Sequence, residues 1–303
     1  MQLALFADVL PALSDYVERW AVAYNRPPWV SAHTATVRRQ HLRRHILPEF
    51  GSVPIDRITV AAVNAWQQRF LAAGHSVAFA RHVVTTFSAP LAQAQRDGLI
   101  TVHPLRGLRW PRDVDARPDP YTPREMRRLL RWFEANKPIY LPLVALVCLT
   151  DMRPSEAAGL RWDDVDLDRR VVRIERSAVG RVVGLTKTRR SKRVIKVSEE
   201  VAGILARVEP RREWVCTSPE GTQIESMSWG GYHWRRACKA AGVRYRGFYR
   251  GRAGFLSASA ARGANLLALS EYSGTSIRML ESHYLRWVRP LEIPGESRRR
   301  RHG

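Results

Sequence analysis

Apolar residues recur at helical spacing through the first hundred positions. Phe6 to Tyr24, Ser31 to Ile46, Val60 to Ala72 and Ser76 to Arg96 each read as an amphipathic helix. Gly74 and Gly98 are placed to end the last two. Further on, Thr122-Pro123-Arg124-Glu125 is a capping box with proline at the first helical position, followed by Met126, Leu129, Leu130 and Phe133 on one face. The run from Ile139 to Leu149 is continuously apolar but too short to span a bilayer, so it predicts a core helix. Between Val171 and Val197 the period changes, and Val171 to Ile174, Val182 to Leu185 and Val194 to Val197 read as three short strands. Helices resume near Ser226, with Gly263 and Gly274 as punctuation and a last helix from Ile277 to Trp287. The pattern predicts a mostly α chain with a small antiparallel β-sheet.

Prolines at 104, 111, 118 and 120, set among arginines and acids, mark an interdomain linker. The expected organisation is a helical domain over 1–103, a linker over 104–121, a second domain over 122–290 and a basic tail over 291–303 that ends in Arg298 to Arg301. A chain of 303 residues with 45% hydrophobic content supports two domains with their own cores. Cys148, Cys216 and Cys238 are odd in number and form no CxxC pair, which argues against a disulfide framework or a zinc site and suits a reducing cytoplasm. The stretch from Met1 to Leu10 carries Asp8 and no basic region, unlike a secretion signal.

Charge adds a partner. Fifty Lys and Arg against 28 Asp and Glu give a formal charge of +22 and a pI near 11.1, the footprint of a nucleic-acid-binding chain. Arg dominates, and its planar fork suits phosphate oxygens. Arg38, Arg39, Arg43 and Arg44 form a broad positive face on the second predicted helix, fit to lie along a phosphate backbone; the plainer reading is a solvated helix face.

Four contexts in the second half carry candidate chemistry. Arg153 lies in Thr150-Asp151-Met152-Arg153-Pro154-Ser155-Glu156, where Pro154 forces its predecessor out of helical geometry and displays it at a helix junction. Local pairing with Asp151 or Glu156 is the competing role for this arginine. Lys187 stands between the second and third predicted strands, with Arg189, Arg190, Lys192 and Arg193 as candidate DNA-backbone contacts beside it. Arg252 and Tyr284 complete the set. A phosphodiester is already anionic, and its pentavalent transition state concentrates more charge, so fixed cations must supply most of the catalysis. Two arginines can clamp both non-bridging oxygens, a tyrosine can attack, and a lysine can protonate the leaving oxygen.

In this order the four contexts resemble those of the tyrosine recombinase (phage integrase) family, strongly from Tyr121 to Tyr284 and in outline before it. The resemblance implies an N-terminal helical core-binding (SAM-like) domain and an α+β catalytic domain. It further implies cleavage of double-stranded DNA at specific attachment sites through a 3′-phosphotyrosine on Tyr284, with no metal or ATP, by a homotetramer on two DNA sites, with an accessory DNA-bending protein as a further expected partner. No membrane association is expected. The family's third context is His-x-x-Arg, followed eleven residues after the Arg by a glycine; counting back from Gly263 gives Arg252, with Tyr249 where histidine is usual. Arg250 is the competing choice if the turn carries a two-residue insertion. Thr275, after Gly274, stands where histidine or tryptophan is usual. The resemblance therefore assigns catalytic positions to Arg153, Lys187, Tyr249, Arg252, Thr275 and Tyr284, with a slow turnover expected. A catalytically decayed DNA-binding relative and a type IB topoisomerase-like enzyme are the alternative readings.

Overall fold

The computed structural model describes residues 10–111, 119–180, 182–185, 192–209 and 211–284. The chain divides into two compact units, Met1–Ala116 and Arg117–Gly303. It is mostly helical with small antiparallel sheets.

In the first unit α1 (Leu13–Tyr24), α2 (Ala32–His41), α3 (Leu47–Phe50), α4 (Val60–Ala72) and α5 (Val77–Arg96) surround one core. Ser31, Thr59 and Ser76 each accept a backbone N–H three residues on, so α2, α4 and α5 begin at side-chain caps. Leu13, Ile46, Val63, Phe87 and Leu91 are fully enclosed, and Phe50 stacks on Phe87 at 5.5 Å. The run from Ser31 to Ile46, expected as one helix, instead widens into a π-helical turn over Leu42–Ile46 before continuing as α3. A wider turn rotates the chain less per residue, so Arg43 and Arg44 return closer to the face of Arg38 and Arg39 than a straight α-helix would bring them. Leu105, Leu108 and Trp110, in the segment expected to be linker, pack against this core, and Arg81 lies 5.3 Å over the Trp110 ring.

The second unit opens with the expected capping box: Glu125 N–H donates to Thr122 Oγ1 at 3.2 Å, and Thr122 N–H donates to Glu125 Oε2 at 2.8 Å. It starts α6 (Pro123–Asn136), whose Leu129 and Phe133 face the core around α7 (Leu141–Thr150). α7 is buried on every side, as its unbroken apolar sequence requires. After α8 (Pro154–Ala158) come β1 (Val165–Asp166), β2 (Val171–Ile174), β3 (Arg176–Val179), β4 (Val182–Leu185) and β5 (Arg193–Lys196). These form two antiparallel sheets, β1-β2-β5 and β3-β4. Two of these strands, β1 and β3, were not expected: β3 lacks a run of β-branched residues and owes its pairing to the tight turn at Gly180, where φ is +62°.

Helices α9 (Glu199–Ala206), α10 (Ser226–Trp229), α11 (Arg235–Ala240), α12 (Arg250–Ala261), α13 (Leu266–Ser273) and α14 (Ile277–Tyr284) follow. Two glycines let α12 lie against its neighbours. A Cβ on Gly251 would stand 2.7 Å from Cys148 Sγ of α7, and one on Gly254 would stand 2.6 Å from the Tyr121 carbonyl oxygen. Asn265 caps α13 by accepting from the Leu267 and Ala268 N–H groups, and Leu280 ties α14 to Leu256 and Leu269.

Candidate active site

Helix α7 stops at Thr150 because Asp151 adopts the left-handed conformation, with φ of 62°. Two residues later Arg153 is extended, with φ of −67° and ψ of 145°, as Pro154 demands. Its backbone N–H donates to Glu156 Oε2 at 2.9 Å and its Nη1 to Glu156 Oε1 at 2.6 Å. The side chain remains 29% exposed, and its Nε and Nη2 have no hydrogen-bond partner among the described residues. Glu156 is enclosed and also takes a two-pronged contact from Arg193, with Nη1 and Nη2 at 3.1 and 3.0 Å. Burial alone would raise the Glu156 carboxyl, but Arg193 and Arg153 hold it below the usual carboxylate range. For Arg153 the balance is reversed in sign: burial disfavours its charge, and Glu156 more than restores it.

Arg252 enters the same region from α12. Its Nη2 donates to the Ser273 carbonyl at 3.2 Å and to Thr275 Oγ1 at 2.9 Å, and its Nε lies 3.0 Å from Asp151 Oδ1. The guanidinium is almost fully buried, yet Nη1 has no hydrogen-bond partner among the described residues. Arg250, the competing choice, sits exposed at the first position of α12. Burial pushes the Asp151 carboxyl up to about 7, against the pull of Arg252 and Arg193. Thr275 is placed by the left-handed Gly274 and by its own neighbours: Ser270 Oγ donates to its carbonyl at 2.6 Å, and its N–H donates to Ser273 Oγ at 3.1 Å. Tyr249 is the N-cap of α12, is 56% exposed, and its ring centre is 6.0 Å from the Arg252 guanidinium carbon.

The fold thus gathers Arg153, Tyr249, Arg252 and Thr275, four candidates separated by more than a hundred residues of sequence. Tyr284 is the last residue of α14; its side chain, like the whole of Lys187, Arg189 and Arg190, lies outside the described part of the structure. Lys192 is exposed just before β5. Arg193 is a correction: expected to contact DNA, its side chain is only 5% exposed and is spent on Glu156 and on the Tyr272 carbonyl, which accepts from Nε at 2.9 Å. Strand alternation explains this, since Arg193 shares a face with the buried Ile195 of β5. Asp151, Glu156 and Tyr272 were missed as members of the site; period two counted back from Ile195 would have turned Arg193 inward and called for a buried acid.

In the first unit Arg39, Arg43 and Arg44 are exposed and Arg38 half-buried, and none of the four makes an ion pair with a described residue. His233 packs on Tyr140 and Trp229, with ring centres at 4.6 and 5.9 Å. Among the described residues no group of three or more His, Cys, Asp or Glu could hold a metal ion, and no helix is long and apolar enough to cross a membrane.

Two family models match the chain: the phage integrase family over residues 121–287, and the N-terminal SAM-like domain of phage integrases over residues 12–71. An integrase of Mycobacterium phage D29 is 29% identical over 223 residues, 70% of this chain and 56% of that relative, so the chain spans little more than half of its length. Among solved structures, the Tn1549 transposon integrase in complex with a circular intermediate DNA matches 89% of this chain and 93% of its own at a TM-score of 0.76 and 19% identity. A lambda integrase tetramer bound to a Holliday junction matches 96% of this chain and 82% of its own at a TM-score of 0.74 and 16% identity. At such identities the structural likeness is one of fold.

Proposed function

The chain belongs to the phage integrase family, and from that premise we propose that it is a site-specific DNA strand transferase that cuts and rejoins DNA through a covalent 3′-phosphotyrosine on Tyr284. The observation that carries this reading is Arg252. A guanidinium enclosed by protein, held through Nη2 and Nε, and left with an unpartnered Nη1 is a prepared anion ligand. Arg153, half held by Glu156, supplies a second cation from the N-cap of α8. Together the two arginines take the non-bridging oxygens of the scissile phosphate and neutralise the charge that develops in the pentavalent transition state.

Tyr284 then attacks phosphorus, its proton leaving the hydroxyl, and the 5′ oxygen departs with a proton from Lys187. The bond energy is kept in the phosphotyrosine. A 5′ hydroxyl from a partner strand attacks it and returns its proton to Lys187, Tyr284 leaves and regains a proton from solvent, and the new phosphodiester forms without ATP or a metal. Thr275 Oγ1 accepts from Arg252, which leaves its own O–H free to donate to a phosphate oxygen. Tyr249, beside Arg252, offers a second hydroxyl in place of the histidine usual there. The enzyme acts on double-stranded DNA at specific attachment sites, as a homotetramer on two sites, with an accessory DNA-bending protein, in the cytoplasm. Arg38, Arg39, Arg43, Arg44, Lys192, Arg189 and Arg190 hold the DNA backbone.

Tyr249 and Thr275, standing where histidines are usual, favour one second reading, a DNA-binding relative whose chemistry has decayed. A nicked suicide substrate carrying the end sequence of the chain's own element separates the two. The strand transferase gives a covalent protein–DNA band on a denaturing gel that Tyr284→Phe abolishes. DNA binding with no band in the parent protein supports the decayed relative.

A further inference from the structure

Asp151 has no part in the chemistry described above, yet its side chain is the least expected in the site. The helix end needs a left-handed residue there, a conformation that glycine adopts without cost. Asp tolerates it, but the carboxylate does not cap the helix, because neither of its oxygens makes a hydrogen bond among the described residues. It is fully enclosed, where an ionised carboxylate without hydrogen bonds is costly. Its near charge is Arg252 Nε, 3.0 Å from Oδ1, close enough for an ion pair but not aligned as a hydrogen bond. The other titratable groups around it are Arg193, Glu156, Arg153 and Tyr272.

We infer that Asp151 is a positioning residue for the scissile phosphate: its buried charge pins the Nε side of Arg252, so that the rest of the guanidinium divides into Nη2, spent on Ser273 and Thr275, and Nη1, kept for the substrate. Neutralising Asp151 loosens that hold and slows cleavage. The inference rests on the strand-transfer reading and on Arg252 as a phosphate ligand within it. Pinning by charge has a consequence that a packing role lacks. Burial raises the Asp151 carboxyl to about 7, so the hold is present in mildly alkaline solution and is lost as pH falls through neutrality. Its titratable neighbours lie outside that window: Arg193 and Arg153 keep Glu156 ionised, and Tyr272 is pushed up to about 12. The same burial makes the ionised carboxylate a cost to the fold above about pH 7, a cost that disappears on protonation.

The test is single-turnover formation of the covalent complex on the nicked duplex, with the full chain, Asp151→Asn and Asp151→Gly, across the neutral range, alongside DNA affinity and thermal unfolding. At about pH 8 Asp151→Gly is expected to react about 10- to 100-fold more slowly, with Asp151→Asn between it and the parent. DNA affinity stays within about twofold in both, since the bulk of it comes from phosphate contacts elsewhere. As pH falls below about 7 the parent rate drops to that of Asp151→Asn, whose profile is flat in this window. Asp151→Asn melts above the parent at about pH 8 and level with it under acid conditions. Both variants reacting at the parent rate with the parent pH profile overturns the inference, as does a rate loss that merely follows a loss of stability. A parent that forms no covalent complex overturns the strand-transfer reading itself, and this inference with it.

Discussion

The arginines of the two units lead different lives. In residues 1–116 Arg39, Arg43 and Arg44 face solvent, with Arg38 half-buried beside them, and none makes an ion pair with a described residue, while in residues 117–303 Arg193 and Arg252 are buried against Glu156 and Asp151. The exposed set is screened by salt and adjusts to any phosphate, which suits attachment along a DNA backbone. The enclosed set has been taken out of water and fixed, so its charges act at short range and at one place. On the proposed reading, the exposed arginines of α2 and its turn serve affinity and the enclosed Arg252 serves geometry, and the difference lies in what surrounds each side chain.

The sharpest way to break this contrast is to remove a buried acid. Glu156→Ala leaves Arg193 enclosed without its counter-charge, and the second unit is expected to lose about 3–5 kcal/mol in chemical denaturation. An equal cost from Glu49→Ala, whose partner Arg69 is exposed, would show that burial is not what distinguishes the two regions. Arg252→Ala comes next: covalent-complex formation should fall about 10²- to 10³-fold while DNA affinity changes little. Gly254→Ala asks whether the close seat of α12 matters, because the added methyl meets the Tyr121 carbonyl and Met126 Sδ; it should cost about 1–3 kcal/mol of stability in a melting experiment. Replacing Arg38, Arg39, Arg43 and Arg44 together by Gln should lower DNA affinity and reduce the salt slope by about 0.9 for each phosphate that the variant no longer neutralises, with the single-turnover rate at saturating DNA unchanged.

Acid offers the mildest probe, and here the histidine pair of the first unit and Asp151 of the second respond with opposite signs. His41 and His45, packed with His75 and His82 around Phe79, are held below the ordinary value of 6.5, chiefly by burial and then by neighbouring histidines. The unfolded chain binds these protons more readily, so their contribution to stability is full above pH 6.5 and is lost as pH falls below it. In the second unit acid relieves the cost of ionised Asp151. Imidazole resonances of His41 and His45 that titrate at or above 6.5 in the folded protein would remove the first half of that contrast.

Much of the frame was legible from residue order. The Thr122–Glu125 box, the all-apolar α7 and the capped helices α4 and α5 are local events, decided by neighbours within one or two turns, and their sequence marks suffice. So is the display of Arg153, because Pro154 acts on the residue before it. Counting back from Gly263 selects Arg252 over Arg250; in the fold Arg252 is buried beside Asp151 and Arg250 is exposed.

What the sequence by itself determined, then, is the run of helices, the α7–α8 junction and a chain rich enough in arginine to seek phosphate. The tertiary structure alone decided which arginines are free to do so. Arg193 reads as one more basic loop residue beside Lys192, but strand pairing turns it inward onto Glu156, thirty-seven positions away. Asp151 reads as a local partner for Arg153, but the left-handed helix end turns its carboxylate toward Arg252, on a helix a hundred positions on. Charge is a property of the residue; whether that charge is solvated, spent or held ready depends on atoms that only folding brings within a few ångströms.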